Sequence, residues 1–413
     1  MLYLCPELHY ESLMVVKIYF SIQIVIIVLL ALSLIYVLFF AIAAYFYRFP
    51  KIAEDKVLKR IAVLFPCYRE DNVIIESIKV ALLQDYPKEK FDVIIIADSF
   101  LISTLEIIRT LPVLLFEVEI ENRTKSKALN YALDHIDESY DIAVVMDGDN
   151  QMSPGFLDKI NAVFDGRTIA VQGHRIAKNS NSSLAILDAI SEEICNNIFR
   201  KGHRAVGLSS SLSGSGMAFK FDYFKKLMRK NTAVGGFDKE IELELLKEGI
   251  AIEFLSEAIV FDEKTNDSKA FVNQRRRWFA AQYFYFRHDF FSSLKLFLFN
   301  GNFGYFFKTI QLIQPQRILL LGAVFTFSPA FLLLNYFLHI HTILSTIWLS
   351  LIVMCVFSFG ISVPGKYYSI KTFLALRYLP KGLFLVISSM LQLKGVNENF
   401  IHTKHSYNKS RAK

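Results

Sequence analysis

The sequence predicts an α/β domain, a mostly parallel sheet with flanking helices, set between membrane-spanning helices. Three observations carry that expectation. Between about Asp55 and Asp289, short β-rich apolar runs alternate with stretches of helical periodicity, the pattern of a parallel sheet crossed by helices. From Tyr19 to Tyr47 no residue is charged, and about 20 apolar residues suffice for a helix to cross a bilayer. A second uncharged region runs from Ile318 to Gly365, broken by His339 and His341.

The elements follow in chain order. The first apolar run is longer than the roughly 7 to 15 residues of a signal-peptide core and follows Glu7, Glu11 and Lys17, so residues 1–50 read as an uncleaved anchor. The α/β domain takes residues 55–290. IAVLFP (Ile61 to Pro66), FDVIIIAD (Phe91 to Asp98) and DIAVVMD (Asp141 to Asp147) are its expected buried strands. DNVIIESIKVALLQ supplies a helix between the first two, and KSKALNYALDHI supplies another before the third, giving the order β-α-β-loop-α-β. Residues 291–315 are expected to be interfacial helices. Residues 316–393 hold two spans joined by a tight turn, then a segment from Lys371 to Leu393 in which Arg377, Pro380 and Lys381 leave an apolar run of about 12 residues. That segment reads as interfacial rather than as a further span. Residues 394–413 form a basic tail.

Basic residues set the orientation. Arg48, Lys51, Lys56, Lys59 and Arg60 flank the first span, Lys308 and Arg317 precede the second, and Lys394, Lys404, Lys409, Arg411 and Lys413 lie in the tail. All prefer the cytosolic side, which favours three spans over four and places the α/β domain in the cytosol at a plasma or inner membrane. The net charge of +7 then reflects topology and anionic lipid, not nucleic acid. The four cysteines, Cys5, Cys67, Cys195 and Cys355, form no CxxC pair, so no zinc site or disulfide framework is implied.

Ligands of open α/β sheets bind at the carboxyl ends of the strands. Tyr68, Glu70, Asp98, Asp147 and Asp149 fall there. In VVMDGDN an extended chain sends Asp147 and Asp149 to the same side, and two such carboxylates suit a hard divalent cation bound to a diphosphate. A lone D-x-D also reads as a loop of solvated acids. No P-loop or Rossmann glycine pattern follows a strand, which disfavours kinases and dehydrogenases. The glycines of SGSGMAF, Gly214 and Gly216, taken alone describe a tight loop.

The order of these motifs resembles the family 2 glycosyltransferases, in particular the membrane synthases of cellulose, chitin, hyaluronan and poly-N-acetylglucosamine type, over roughly residues 60 to 280. FPCYRED resembles the family's P-x-Y-N-E through Pro66, Tyr68 and Glu70, with Arg69 in place of asparagine. IIIADSF resembles V-D-D-x-S through Asp98, with Ala97 replacing the first aspartate. TKSKALN resembles G-K-A-G-A-L-N through Lys125, Ala128, Leu129 and Asn130. DGD matches the metal-binding D-x-D, and QRRRW matches Q-x-x-R-W through Gln274, Arg277 and Trp278. GGFDKEIELELLKEG fits E-D-x-E-L...L-L-K-E-G with Asp238 as the aspartate and Phe237 in place of the glutamate.

The resemblance implies a GT-A-like fold and an inverting transfer from a UDP-sugar to a growing polysaccharide or, alternatively, to a membrane lipid. It implies Asp238 as catalytic base, with Glu240 as the fallback, although an aspartate there can also be the N-cap of a helix from Lys239 to Glu248. Pro66, Tyr68, Glu70, Asp98, Lys125 and Asp147 would bind the nucleotide sugar. Asp149 and Asp147 would hold Mg²⁺ or Mn²⁺. Gly216, Gln274, Arg277 and Trp278 would meet the acceptor and diphosphate, while Arg275 and Arg276, at variable positions, would only mark the cytosolic side. Three or four spans are few for a channel, so export implies a homodimer or a partner subunit. A catalytically degenerate nucleotide-binding scaffold is the rival from another class.

Overall fold

A computed structural model of the chain describes residues 6–48, 57–120, 124–136, 139–233, 235–339 and 343–393. Lys51, Lys56 and the basic tail lie outside the described residues. Among the described residues, eight strands, β1 (Ile61–Tyr68), β2 (Phe91–Asp98), β3 (Leu114–Val118), β4 (Ile142–Val145), β5 (Gln151–Met152), β6 (Ala170–Ala177), β7 (Met217–Lys220) and β8 (Glu253–Asp262), form one sheet. Their order is β3-β2-β1-β4-β7-β6-β8-β5. The half from β3 to β4 is wholly parallel. β7 enters antiparallel to both β4 and β6, and β8 returns parallel to β6.

Alternation along the strands divides the core in two. Ile61, Val63, Phe65, Val93, Ile95 and Val144 face one side, where they pack on Ile74 and Ile78 of the Ile74–Leu82 helix and on Phe156 and Ile160 of the Phe156–Val163 helix. Ala62, Leu64, Ile94, Ile96, Ala143 and Val145 face the other, against Leu129, Ala132, Phe224, Ile241 and Leu245 from three further helices. A strand covered on both faces reads as a continuous apolar run, which is why these segments are legible in the sequence. The expected loop after β2 instead holds a helix, Ile102–Arg109, and the edge strand β3. Edge position explains the weak signal, because β3 is only partly buried.

Among the described residues, three helices are long and apolar enough to cross a membrane, covering Met14–Phe46, Arg317–Phe337 and Ile343–Ser362, or four if the bent pair Ile370–Leu376 and Leu379–Met390, with its 52° break, counts as one. They pack together through Leu34, Val324, Phe331, Trp348 and Cys355. A polar knot pins them: the Trp348 indole N–H donates to Gln23 Oε1 at 2.9 Å, and the Gln23 amide and Tyr19 hydroxyl donate to Asn335 Oδ1 at 3.2 and 2.6 Å. The α/β domain docks directly on the first of these helices. At Gly202, in the π-helical turn Asn196–Gly202, a Cβ would lie 2.3 Å from the Phe40 carbonyl oxygen. The expected boundary at residue 290 falls inside a single 33-residue helix, Ser268–Asn300, started by Asp267, whose side chain accepts from the Ala270 N–H at 2.7 Å.

Candidate active site

Equal register of β1 and β2 sets Tyr68 beside Asp98 at the strand ends. The chain then turns sharply at both tips, with Arg69 (φ 53°) and Ser99 (φ 59°) in left-handed conformations that non-glycine residues seldom adopt. The Arg69 N–H donates to the Asp98 carbonyl at 3.1 Å, and the Ser99 hydroxyl donates to the Asp98 carboxylate at 2.7 Å. Asp98 is thereby fixed and buried. One strand over, β4 delivers Asp147 and Asp149. A side chain between them would be crowded, because a Cβ on Gly148 would sit 3.0 Å from Cys67 Sγ and 3.1 Å from Glu70 Cβ.

The two aspartates differ. Asp149 is buried, and its oxygens accept from the Asn150 amide at 3.0 Å and the Glu263 N–H at 3.2 Å. Asp147 is about a third exposed and ion-paired to Lys125. Lys125 also donates to the Gly214 carbonyl at 2.8 Å. It starts the Lys125–His135 helix, whose N-cap Thr124 accepts from the Lys127 N–H at 3.2 Å.

Asp238 lies in the first turn of the Phe237–Lys247 helix, whose N-cap is Gly236 in a left-handed conformation. Asp238 is therefore not the cap, and it pairs with Lys239 at 3.3 Å. Burial opposes the charge on Lys239, but Asp238 and Glu242 outweigh it and raise its pKa. Glu240, two residues on, lines a different cavity of about 200 Å³ with Tyr285 and Asp289, where burial raises its pKa.

Of the QRRRW residues, Gln274, Arg277 and Trp278 line the main cavity. Burial lowers the Arg277 pKa and the charge of Asp147 works against it. Arg275 departs from expectation: it is buried, ion-paired to Asp188, and stacked between Phe271 and Trp278 at 4.6 and 4.2 Å. Only Arg276 lies toward solvent, donating to the Gln392 carbonyl at 2.9 Å.

One cavity of about 450 Å³ gathers these groups: Pro66, Tyr68, Glu70, Asp98, Lys125, Asp147, Asp149, Asp238, Gln274, Arg277 and Trp278 all line it. Gly216 does not. It packs behind the wall, where a Cβ would meet Val260 Cγ2 at 3.0 Å, and its carbonyl accepts from the Gly173 N–H at 2.8 Å; Gly214 lines the cavity instead. The wall also holds a buried charge network that no motif announces. Glu192 pairs with Arg175 at 3.0 Å, Arg200 at 3.1 Å and Lys264 at 3.6 Å, and Lys264 pairs with Asp262 at 2.7 Å. Burial pushes the Glu192 carboxyl up, but the three cations outweigh it and hold it well below the usual range. Its only trace in the sequence is charge at core-facing positions of otherwise apolar segments.

Among the described residues, no three His, Cys, Asp or Glu side chains form a ready-made metal cage. A Mg²⁺ or Mn²⁺ ion completed by substrate phosphates needs only one or two protein carboxylates. Asp147 and Asp149, both lining the cavity, fit that donor set.

Fold and site together define a GT-A-like α/β domain, with acidic residues converging at the ends of its parallel strands. The chain belongs to the glycosyltransferase like family 2, whose profile matches residues 59–281. It is 24% identical over 257 residues to the probable glycosyltransferase YdaM of Bacillus subtilis (strain 168), a match that covers 57% of this chain and 60% of that protein, less than two thirds of the relative's length. Among solved structures, mannosyltransferase PcManGT from Pyrobaculum calidifontis, in complex with GDP-Man and Mn²⁺, aligns at 18% identity and TM-score 0.52 over 81% of this chain and 98% of that one. That likeness bears on the fold. TarS of S. aureus (residues 1–349, with UDP-GlcNAc) aligns at 15% identity over 82% of this chain and 90% of that one, with a TM-score of 0.37, too low to bear on anything further.

Proposed function

We propose that the chain is an inverting membrane glycosyltransferase that moves a sugar from a UDP-sugar to a growing polysaccharide on the cytosolic face of the bilayer. The observation that carries this reading is the single cavity shared by Asp98, Asp147, Asp149, Asp238 and Trp278. Its lining continues to Arg317, the first residue of a candidate span, so the reaction would take place where the domain meets the membrane.

Asp98 and Tyr68, at neighbouring strand tips, hold the uridine end of the donor, with Pro66 and Glu70 beside them. Lys125 and Arg277 place positive charge against the diphosphate, Arg277 with the planar fork suited to a phosphate. Asp149 and Asp147 would hold Mg²⁺ or Mn²⁺, which when bound supplies Lewis-acid neutralisation of the leaving group. Trp278 offers its indole face to the acceptor sugar, and Gln274 offers an amide to its hydroxyls. The acceptor oxygen forms a bond to the anomeric carbon as the bond from that carbon to the diphosphate oxygen breaks. The electron pair leaves with UDP, and the hydroxyl proton passes to Asp238. Attack opposite the leaving group inverts the centre, so an α-linked donor gives a β-glycoside.

Incubation of the purified chain with radiolabelled UDP-sugars, followed by size fractionation, tests the reading. Label in material of high mass is expected. Label confined to a solvent-extractable glycolipid would replace the polymer by a lipid acceptor, and no transfer from any UDP-sugar would leave the scaffold reading.

A further inference from the structure

The same cavity is lined, next to the start of the second candidate span, by Ser191, Gln311, Gln314, Gln316 and Arg317. This end is rich in amides and low in net charge. Lys308 is paired with Glu242 at 2.5 Å, Arg200 with Glu192 at 3.1 Å, and Arg275 with Asp188. Arg317 donates to the Ser191 hydroxyl at 3.0 Å and lies over Phe199. Two buried amide oxygens on residues that line this cavity have no hydrogen-bond partner among the described residues, Gln311 Oε1 and, in the motif next to Trp278, Gln274 Oε1. A buried carbonyl without a donor is costly, and a ligand hydroxyl is a donor that can reach a cavity wall. Amides offer a donor and an acceptor together, which matches sugar hydroxyls and gives no advantage to an anion.

Resting on the transferase reading above, we infer that this amide-lined end is a second acceptor subsite. It takes an uncharged, hydroxyl-rich sugar unit next to the one held at Trp278, so the preferred acceptor is at least a disaccharide. Gln311 accepts from one of its hydroxyls, and Gln314 and Gln316 border it.

The test uses the full chain purified in detergent, UDP-glucose, UDP-N-acetylglucosamine, UDP-galactose and UDP-glucuronate as donors, and two acceptor pairs: glucose against cellobiose, and N-acetylglucosamine against chitobiose. The disaccharide of the accepted pair is expected to have a KM about tenfold below its monosaccharide, the worth of one or two neutral hydrogen bonds. Gln311→Leu and Gln314→Leu should each cut that ratio several-fold, whereas Arg276→Ala should keep it. Each variant is checked by elution as the same monodisperse peak as the parent. Equal KM for both lengths, or an intact ratio in every well-folded glutamine variant, would overturn the subsite and leave the transferase standing. A preference for cellobiouronic acid over cellobiose would overturn its uncharged character. Absence of turnover with every donor would overturn both readings.

Discussion

Arg275, 4% exposed, holds Trp278 by its ring face and Asp188 by its charge. Removing one member of a buried pair strands the other in a poor solvent, at a cost of about 3 to 5 kcal/mol. Arg275→Ala should therefore lower the detergent-solubilised melting temperature by several degrees and raise the acceptor KM, because the indole loses its support. Arg276→Ala, one residue on and directed toward solvent, should shift stability by less than about 0.5 kcal/mol. Equal effects in a thermal melt would show that the two positions are equivalent. The run RRR does not tell the two apart in the sequence. Helical position decides it: Arg275 is buried beside Phe271 and Phe279 at i ± 4, while Arg276 points away. Gln274, Arg277 and Trp278, which line the main cavity, stand out in the sequence by residue types suited to a sugar and a phosphate, whereas Arg275 is fixed by Asp188, 87 residues away.

At the level of elements, the Phe237–Lys247 helix is seated by Gly236. Its φ of 69° favours glycine, and a Cβ there would come 2.7 Å from Ala281 Cβ on the long Ser268–Asn300 helix. Gly236→Ala should destabilise by roughly 1 to 3 kcal/mol through strain and overpacking. Because Asp238 is two residues on, the variant should lose kcat while keeping its donor KM. Steady-state kinetics checks this; a change in donor KM alone would place Gly236 at the nucleotide instead. Elements buried on both faces were legible as apolar runs, while β3 and its helix, lying at the sheet edge, were not. The 33-residue helix hid its continuity because charged and apolar residues mix along it without one dominant stripe.

Across the whole molecule, the domain is joined to the membrane region by Glu193, which accepts from His174 at 2.9 Å and pairs with Lys366, just past the Ile343–Ser362 helix, at 2.9 Å. Burial pushes the Glu193 carboxyl up, but His174 and Lys366 outweigh it and bring it down to about 2. A carboxyl whose pKa is depressed by folding gives stability that is present above its unfolded value, about 4.3, and lost as pH falls toward its folded one. The shift corresponds to roughly 3 kcal/mol. Glu193→Gln should therefore melt well below the parent at about pH 6, with the gap narrowed to roughly half at about pH 3 and lost only as pH falls through about 2. A constant gap between the two melting curves would remove this link from the acid response. The three long apolar helices were legible from hydropathy alone, but the polar knot of Gln23, Asn335 and Trp348 joins residues more than 300 positions apart and needs the fold to be seen.

The most direct measurement of the central claim is UDP release from a panel of UDP-sugars, with Mg²⁺ or Mn²⁺, by the parent chain and by Asp238→Asn, Asp149→Asn and Glu240→Gln. Loss of a positioned general base typically costs about 10² to 10⁴ in rate. Asp238→Asn and Asp149→Asn should fall into that range, and Glu240→Gln, lining the separate cavity, should stay within a few-fold of the parent. Full activity in Asp238→Asn or Asp149→Asn would contradict the assignment of this cavity as a glycosyltransferase active site.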